Sequence, residues 1–124
     1  MKFLERKNIE MMNKLAINNY GGLFGVRDDA LLEGANARSQ NLYYYENSDV
    51  FELAACYAFA IAKNNPFLDG NKRTAFFAMV QFLEDNGINI QIETDQTVNL
   101  MLDIATDKIT IKNAAEFLKL CAGK

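Results

Sequence analysis

Two strongly apolar segments, residues 50–62 and 75–83, lie near the middle of the chain. Placed on a helix, each is apolar on nearly every side, and helices of that kind are normally buried. The connection between them, residues 65–75, is mostly polar. Pro66 cannot continue the first helix, because it lacks an N–H group and its ring clashes with the preceding turn. The pattern therefore predicts two core helices that hold a polar connection between them.

Weaker helical patterns flank this central pair. Residues 3–18 and 95–106 carry apolar positions at roughly helical spacing, and residues 28–33 start a helix that is predicted to end near 36–38. Asn113 is a candidate cap for a last helix over 114–121. The pattern predicts an all-α fold of about six helices, with an alternating, extended segment at 88–92 and a brief extended link at 109–111. Nothing marks a domain boundary, so residues 1–124 are expected to form a single domain.

The segment before the first central helix is rich in aromatic residues. Residues 39–47 contain three consecutive tyrosines, Tyr43 to Tyr45, and are predicted to form a loop. Their rings either cover the edge of the core or line a binding cleft. Asp49 and Glu52 fit the two positions of a capping box at the start of the next helix. Glu52 either serves only that cap or pairs with a nearby basic residue, Lys72 or Arg73.

Composition narrows the class of protein. The chain has 124 residues, 50% hydrophobic content and a mean hydropathy of −0.12, which is typical of one soluble globular domain. A net charge of −3 and a pI near 4.9 argue against nucleic acid as the main partner. Cys56 and Cys121 form no Cys-x-x-Cys pair, which indicates neither a disulfide scaffold nor a zinc site. No apolar run reaches membrane-spanning length and the start lacks a signal peptide's apolar core, so we expect a cytoplasmic protein without a membrane partner.

The candidate chemistry lies where the polar connection meets the second central helix. Asn71 is a suitable N-cap, which would place Lys72, Arg73 and Thr74 in the first helical turn. Free N–H groups and the positive end of the helix dipole favour an anion there. Two cations at that end oppose the dipole, so a bound anion explains them better than a solvated charge pair does.

The residues just before this turn fit the same interpretation. Asp69 offers a hard oxygen ligand of the kind that Mg²⁺ uses when it bridges to phosphates. Gly70 can adopt backbone angles closed to other residues and allows a phosphate to approach closely. Together these positions predict a phosphate site of the kind that binds a nucleotide.

This stretch resembles the active-site motif of the Fic/Doc (Fido) family, in the short form found in death-on-curing toxins. That motif reads His-x-Phe-x-Asp/Asn-Ala/Gly-Asn-Lys-Arg, and the matching residues are Phe67, Asp69, Gly70, Asn71, Lys72 and Arg73. Similar flanking stretches occur at 20–23, 27–28, 31–33, 49–55 and 86–87, so the resemblance covers roughly residues 20–87.

The resemblance implies a compact helical Fic/Doc domain that binds ATP and Mg²⁺. It would transfer a phosphoryl or AMP group to a hydroxyl of a target protein such as a translation factor. Asp69 would hold the metal, residues 70–74 would contact the phosphates, and Phe67 would anchor the motif loop. An antitoxin would bind as a partner and supply the inhibition, because the chain has no match to the family's self-inhibitory motif.

One position departs from the family pattern. Asn65 occupies the place of the catalytic His, and the chain contains no His. An amide can hold a hydroxyl by hydrogen bonds but cannot take its proton near neutral pH. This leaves an impaired toxin, a variant in which another group takes the proton, or an inert module that binds nucleotide or antitoxin. A purely structural helical domain is the remaining alternative.

Overall fold

The computed structural model describes residues 1–123, and this part of the chain folds into six α-helices. They are α1 Arg6–Tyr20, α2 Asp29–Glu46, α3 Val50–Ala62, α4 Asn71–Asp85, α5 Thr94–Ala105 and α6 Ile111–Cys121. The prediction of an all-α fold of about six helices is confirmed. None of the helices in residues 1–123 is long and apolar enough to cross a membrane.

Helix α3 is the central element, as its uniformly apolar sequence predicts. Every residue of α3 except Val50 and Glu52 is buried, and the helix packs against α2, α4, α5 and α6. The many alanines keep its surface narrow, which lets neighbouring helices approach closely. Asp49 and Glu52 form the expected capping box: the Glu52 N–H donates to Asp49 Oδ1 at 2.9 Å.

Helix α4 lies against α3 and carries the candidate site at its beginning. Its buried face includes Met79 and Phe82, and the Phe82 ring lies 5.2 Å from the ring of Tyr57 on α3. The Tyr57 hydroxyl accepts a hydrogen bond from the Leu4 N–H and donates one to Asn36 Oδ1. This contact ties the N-terminal segment and α2 to the central helix.

The prediction that residues 39–47 form a loop is wrong. Helix α2 continues to Glu46 and ends at Asn47, whose φ of 52° is left-handed. Leu32, Ala35, Ser39 and Leu42 recur at helical spacing along the side that packs on the core. The polar residues and the tyrosines between these positions mask that period. Of the three tyrosines, the second and third are exposed, and Tyr43 packs edge-on against Phe3.

Residues 88–92 connect α4 to α5 outside the helices. They pair with no strand in the described chain, and the Gln91 N–H donates to the Cys121 carbonyl. Their alternation arises because Ile88, Ile90 and Ile92 pack against the helical core. Thr110, not Asn113, caps α6: the Asn113 N–H donates to Thr110 Oγ1 at 3.1 Å.

Candidate functional site

The loop that joins α3 to α4 holds two left-handed residues. Asn65 has φ 51° and Gly70 has φ 75°. Glycine adopts this region freely, and asparagine is among the residues that tolerate it best. The Asn65 N–H donates to the Ile61 carbonyl in the last turn of α3, at 3.1 Å. The Asn65 side chain is exposed. The loop therefore turns sharply at each end of the motif.

The prediction that Asn71 caps α4 is wrong. The N-cap residue is Gly70, and Asn71 is the first residue of the helix. The Asn71 side chain reaches back across the loop: its Oδ1 accepts from the Phe67 N–H and its Nδ2 donates to the Phe67 carbonyl, both at 3.0 Å. Because these bonds satisfy both backbone groups of a residue that is only 1% exposed, Asn71 closes the loop onto the core.

The beginning of α4 presents unpaired donors. The first bond of the helix runs from the Thr74 N–H to the Gly70 carbonyl, so the N–H groups of residues 71–73 have no acceptor within the helix. Thr74 is buried, whereas Lys72 and Arg73 are exposed. Within residues 1–123 neither basic side chain forms an ion pair with a carboxylate. This helix start is electropositive and suited to an anion.

Lys72 and Arg73 line the same groove, an open concavity of about 640 Å³ between α4 and α5. The Arg73 guanidinium lies 3.9 Å from the centre of the Tyr20 ring, within the range of a cation–π contact. The remaining walls are mainly apolar and include Phe76 and Met101. One end of the groove is therefore basic, and the rest of it is mainly apolar.

Asp69 is held from two sides. Its Oδ2 accepts from the Leu23 N–H at 2.8 Å, and its carbonyl accepts from Asn13 Nδ2 at 2.9 Å. We call residues 21–25, which connect α1 towards α2, the strap. The strap also pairs with the motif loop where the Leu68 N–H donates to the Gly25 carbonyl. Asp69 thus links the strap to the start of α4.

The carboxylate of Asp69 is suited to a shared metal rather than to a closed metal site. Residues 1–123 contain no cluster of three or more His, Cys, Asp or Glu side chains that could enclose an ion. Mg²⁺ commonly binds through one or two carboxylates and completes its shell with water and substrate phosphates. One exposed carboxylate beside an electropositive helix start fits that pattern.

Sequence reasoning missed Arg27 as a site residue. Its Nε donates to the Asn65 carbonyl at 2.6 Å, its Nη2 donates to the Asn64 carbonyl at 2.9 Å, and its N–H donates to the Pro66 carbonyl at 2.7 Å. A guanidinium at these carbonyls also complements the negative end of α3. Arg27 therefore fixes the backbone at position 65. Residues 27–28 belong to the flanking stretches that resemble the family, and this was the signal that the sequence contained. It gave no indication of the contact with the carbonyls of Asn64 and Asn65.

Glu52 resolves the alternative left open above. Its carboxylate accepts from the Asp49 N–H at 3.4 Å as part of the helix cap, and it forms no ion pair with Lys72 or Arg73. The basic pair consequently keeps its charge for another partner.

The fold and this loop define a Fic/Doc domain, and the chain belongs to the Fic/DOC family, whose model matches residues 3–83. The chain is 31% identical over 124 residues to a protein named "Protein kinase doc" from Escherichia phage P1, covering 99% of this chain and 98% of that protein. It is 33% identical over 109 residues to "Toxin Doc" from Mycolicibacterium smegmatis, covering 85% of this chain and 82% of the relative. The family resemblance found in the motif is confirmed.

Proposed function

We propose that this protein is a death-on-curing-type toxin that binds ATP with Mg²⁺ at the start of α4. In this proposal it transfers a phosphoryl or AMP group to a hydroxyl of a target protein, such as a translation factor, at a rate lowered by Asn65. The observation that carries the proposal is the pair Lys72 and Arg73, which line one groove without a carboxylate partner in residues 1–123. The names of the two relatives, a kinase and a toxin, support it, and an antitoxin partner is part of it.

Phosphate binding follows from the helix start. The N–H groups of residues 71–73 and the two basic side chains would bind the phosphate oxygens, and Mg²⁺ held by Asp69 would neutralise further charge. Stacking of Arg73 on Tyr20 limits the orientations of the guanidinium and keeps it at the groove. Phosphoryl transfer depends mainly on such positioning and charge stabilisation. Most of the required machinery is therefore compatible with the residues present.

Removal of the proton from the target hydroxyl is the step for which position 65 supplies no general base. Asn65 can accept a hydrogen bond from the hydroxyl through its amide oxygen, but it remains neutral and cannot hold the proton. A positioned general base typically contributes about 10²–10⁴-fold to the rate. The second candidate function, an inert module that binds nucleotide or antitoxin, is favoured by this one residue.

Titration with ATP and Mg²⁺ by isothermal calorimetry tests the binding site. We expect saturable binding to the wild-type protein and a large loss of affinity in Arg73→Ala. Lys108→Ala is the matched control, because Lys108 is an exposed cation outside the groove. Equal binding by wild type and Arg73→Ala would contradict the phosphate site.

Asn65→His tests the enzyme against the inert module. Histidine also tolerates the left-handed backbone at this position, so the loop should keep its shape. We expect transfer of labelled phosphate or AMP to rise by about 10²–10⁴-fold, whereas the control Asn65→Gln should show no rise. Unchanged transfer in the histidine variant, with nucleotide still bound, would favour the binding module.

A further inference from the structure

Asn13 of α1 is a fully buried amide that the proposed chemistry leaves unexplained. It is 0% exposed, and its Nδ2 donates to the Asp69 carbonyl at 2.9 Å and to Thr74 Oγ1 at 3.2 Å. Its Oδ1 is buried without a hydrogen-bond partner in the described part of the chain. A buried acceptor without a partner is destabilising, so this amide is a poor choice for stability alone.

The two oxygens that accept hydrogen bonds from Asn13 Nδ2 lie on either side of the α4 start. The Asp69 carbonyl belongs to the peptide that leads into Gly70, and Thr74 lies one turn inside the helix. A Cβ built on Gly70 would lie 3.4 Å from Asn13 Nδ2 and 3.2 Å from Ile17 Cδ1. Helix α1 therefore packs directly on this turn, and the Asn13 donor holds both of its ends.

We propose that Asn13 is a positioning residue for the anion site at the start of α4. Its Nδ2 fixes the orientation of the peptide between Asp69 and Gly70. That orientation sets the direction of the free N–H groups of residues 71–73 and of the Asp69 carboxylate. The inference deepens the proposed function and rests on it, because the ligand positioned in this way is ATP with Mg²⁺.

The consequence of removing the donor follows from the glycine. Gly70 can rotate between backbone regions at little steric expense, so its own backbone preference does not fix the peptide that precedes it. Without Nδ2 the Asp69 carbonyl would lose its partner, and rotation of the peptide is the simplest way to find another. Such a rotation would turn the anion-binding donors away from the ligand while leaving the helices packed.

Asn13→Leu tests this role, because leucine is close in size but has no donor. Tyr57→Phe is the structural control: it also removes the polar group of a buried side chain, but the partners of Tyr57 are Leu4 and Asn36, outside the motif. Both variants are compared with wild type by urea unfolding and by ATP–Mg²⁺ titration under conditions where each is folded. We expect both variants to be destabilised, but only Asn13→Leu to lose affinity, by about tenfold, since one hydrogen bond commonly corresponds to that factor.

Two further variants separate the contributing causes. Thr74→Val removes one acceptor and leaves the bond to Asp69, so it should lose less affinity than Asn13→Leu. Arg73→Ala, titrated in the same series, reports on the proposed function itself. If wild type binds nucleotide, Arg73→Ala loses it and Asn13→Leu binds like wild type, the role of Asn13 is wrong and the function stands. If wild type binds no nucleotide, both proposals fail.

A measurement on the wild-type protein covers the case in which Asn13→Leu does not fold. The side-chain amide resonances of Asn13 should shift when the protein is saturated with ATP–Mg²⁺, because Asn13 holds the turn that leads into the ligand-binding N–H groups of residues 71–73. The side-chain amide of Asn36, which bonds Tyr57, is the internal control. An unmoved Asn13 signal in a protein that binds nucleotide would overturn the proposal, as would equal losses of affinity in Asn13→Leu and Tyr57→Phe.

Discussion

Position 65 is shaped through its backbone rather than its side chain. Its φ of 51° and the hydrogen bonds from Arg27 to the carbonyls of Asn64 and Asn65 hold the chain where it leaves α3. The exposed side chain can be exchanged for one that tolerates this backbone region, such as histidine, without rebuilding the loop. A general base substituted at this position would therefore have its backbone held by Arg27, whereas Asn65 itself cannot act as one.

Arg27→Ala should affect transfer more than nucleotide binding. In an Asn65→His background, we expect the transfer rate to fall by about tenfold, because the backbone that carries the base is no longer fixed. A small displacement of a catalytic group is enough to lower a rate by this much. The affinity for ATP–Mg²⁺ should change little, since Arg27 binds carbonyls rather than the α4 start. Stability should fall by about 1–2 kcal/mol for the lost charged hydrogen bonds.

Arg38→Ala is the control for charge, because it removes an exposed arginine that lies on α2 and not beside the motif loop. Kinetic measurement of the rate at saturating and subsaturating nucleotide separates the two effects. A change confined to nucleotide affinity would contradict a role at position 65.

The residue types of the site could be predicted, but their partners could not. The spacing of Asp69, Lys72 and Arg73 and the turn at Gly70 are local features that the chain displays directly. Arg27 and Asn13 contact carbonyls 38 and 56 residues away along the chain. No pattern of single residues encodes such contacts, because they exist only after α1 and the strap have packed against the loop.

Among the elements, the strap is the piece whose position most directly affects Asp69. Residues 21–25 contain three glycines with positive φ, and the Leu23 N–H binds the Asp69 carboxylate. A Cβ built on Gly22 would lie 2.9 Å from Asp69 Cβ, whereas one built on Gly21 meets nothing within 4 Å. The two neighbouring glycines thus both have a positive φ, which other residues rarely adopt, but differ in contact with the site.

Gly22→Ala should weaken the use of Mg²⁺ by displacing the strap from Asp69. Gly21→Ala is the matched control, because both substitutions place an alanine at positive φ and each should lower stability by about 1–2 kcal/mol. We expect only Gly22→Ala to raise the Mg²⁺ concentration needed for half-maximal ATP binding. Identical Mg²⁺ dependence in the two variants would show that strap contact does not matter for the carboxylate.

At the same scale, helix α2 shows why its second half was misread. Residues 39–46 carry exposed tyrosines and polar side chains, which locally favour a loop. Ser39 and Leu42 nonetheless continue the buried side begun by Leu32 and Ala35. A uniformly apolar helix such as α3 is recognisable from composition, whereas a half-exposed helix is recognisable only when its narrow buried face is traced through to its end.

For the molecule as a whole, the site depends on α1 and α2 keeping their relative position. Arg6 near the start of α1 binds Asp29 and Glu33 of α2 as well as Glu10 of its own helix. The strap and Arg27 lie between these two helices in the sequence, and both contact the motif loop. The Arg6 contacts therefore hold together the two helices that flank this segment. The hydrogen bond from Arg6 lowers the pKa of the Asp29 carboxyl below its ordinary value of 3.8.

Arg6→Met should remove a pH-dependent part of the stability. Because the pKa of Asp29 is lower in the folded than in the unfolded protein, its contribution is present above the ordinary pKa and is lost as pH falls through the folded value. The difference in unfolding free energy between wild type and Arg6→Met should therefore be steady from about pH 6 to 8 and shrink below about pH 4. Lys7→Met, which removes a cation whose one ion pair within residues 1–123 is with Glu5, should show no such pH dependence. A difference that stays constant down to pH 3 would mean that packing of the Arg6 stem, and not its charge, joins the two helices.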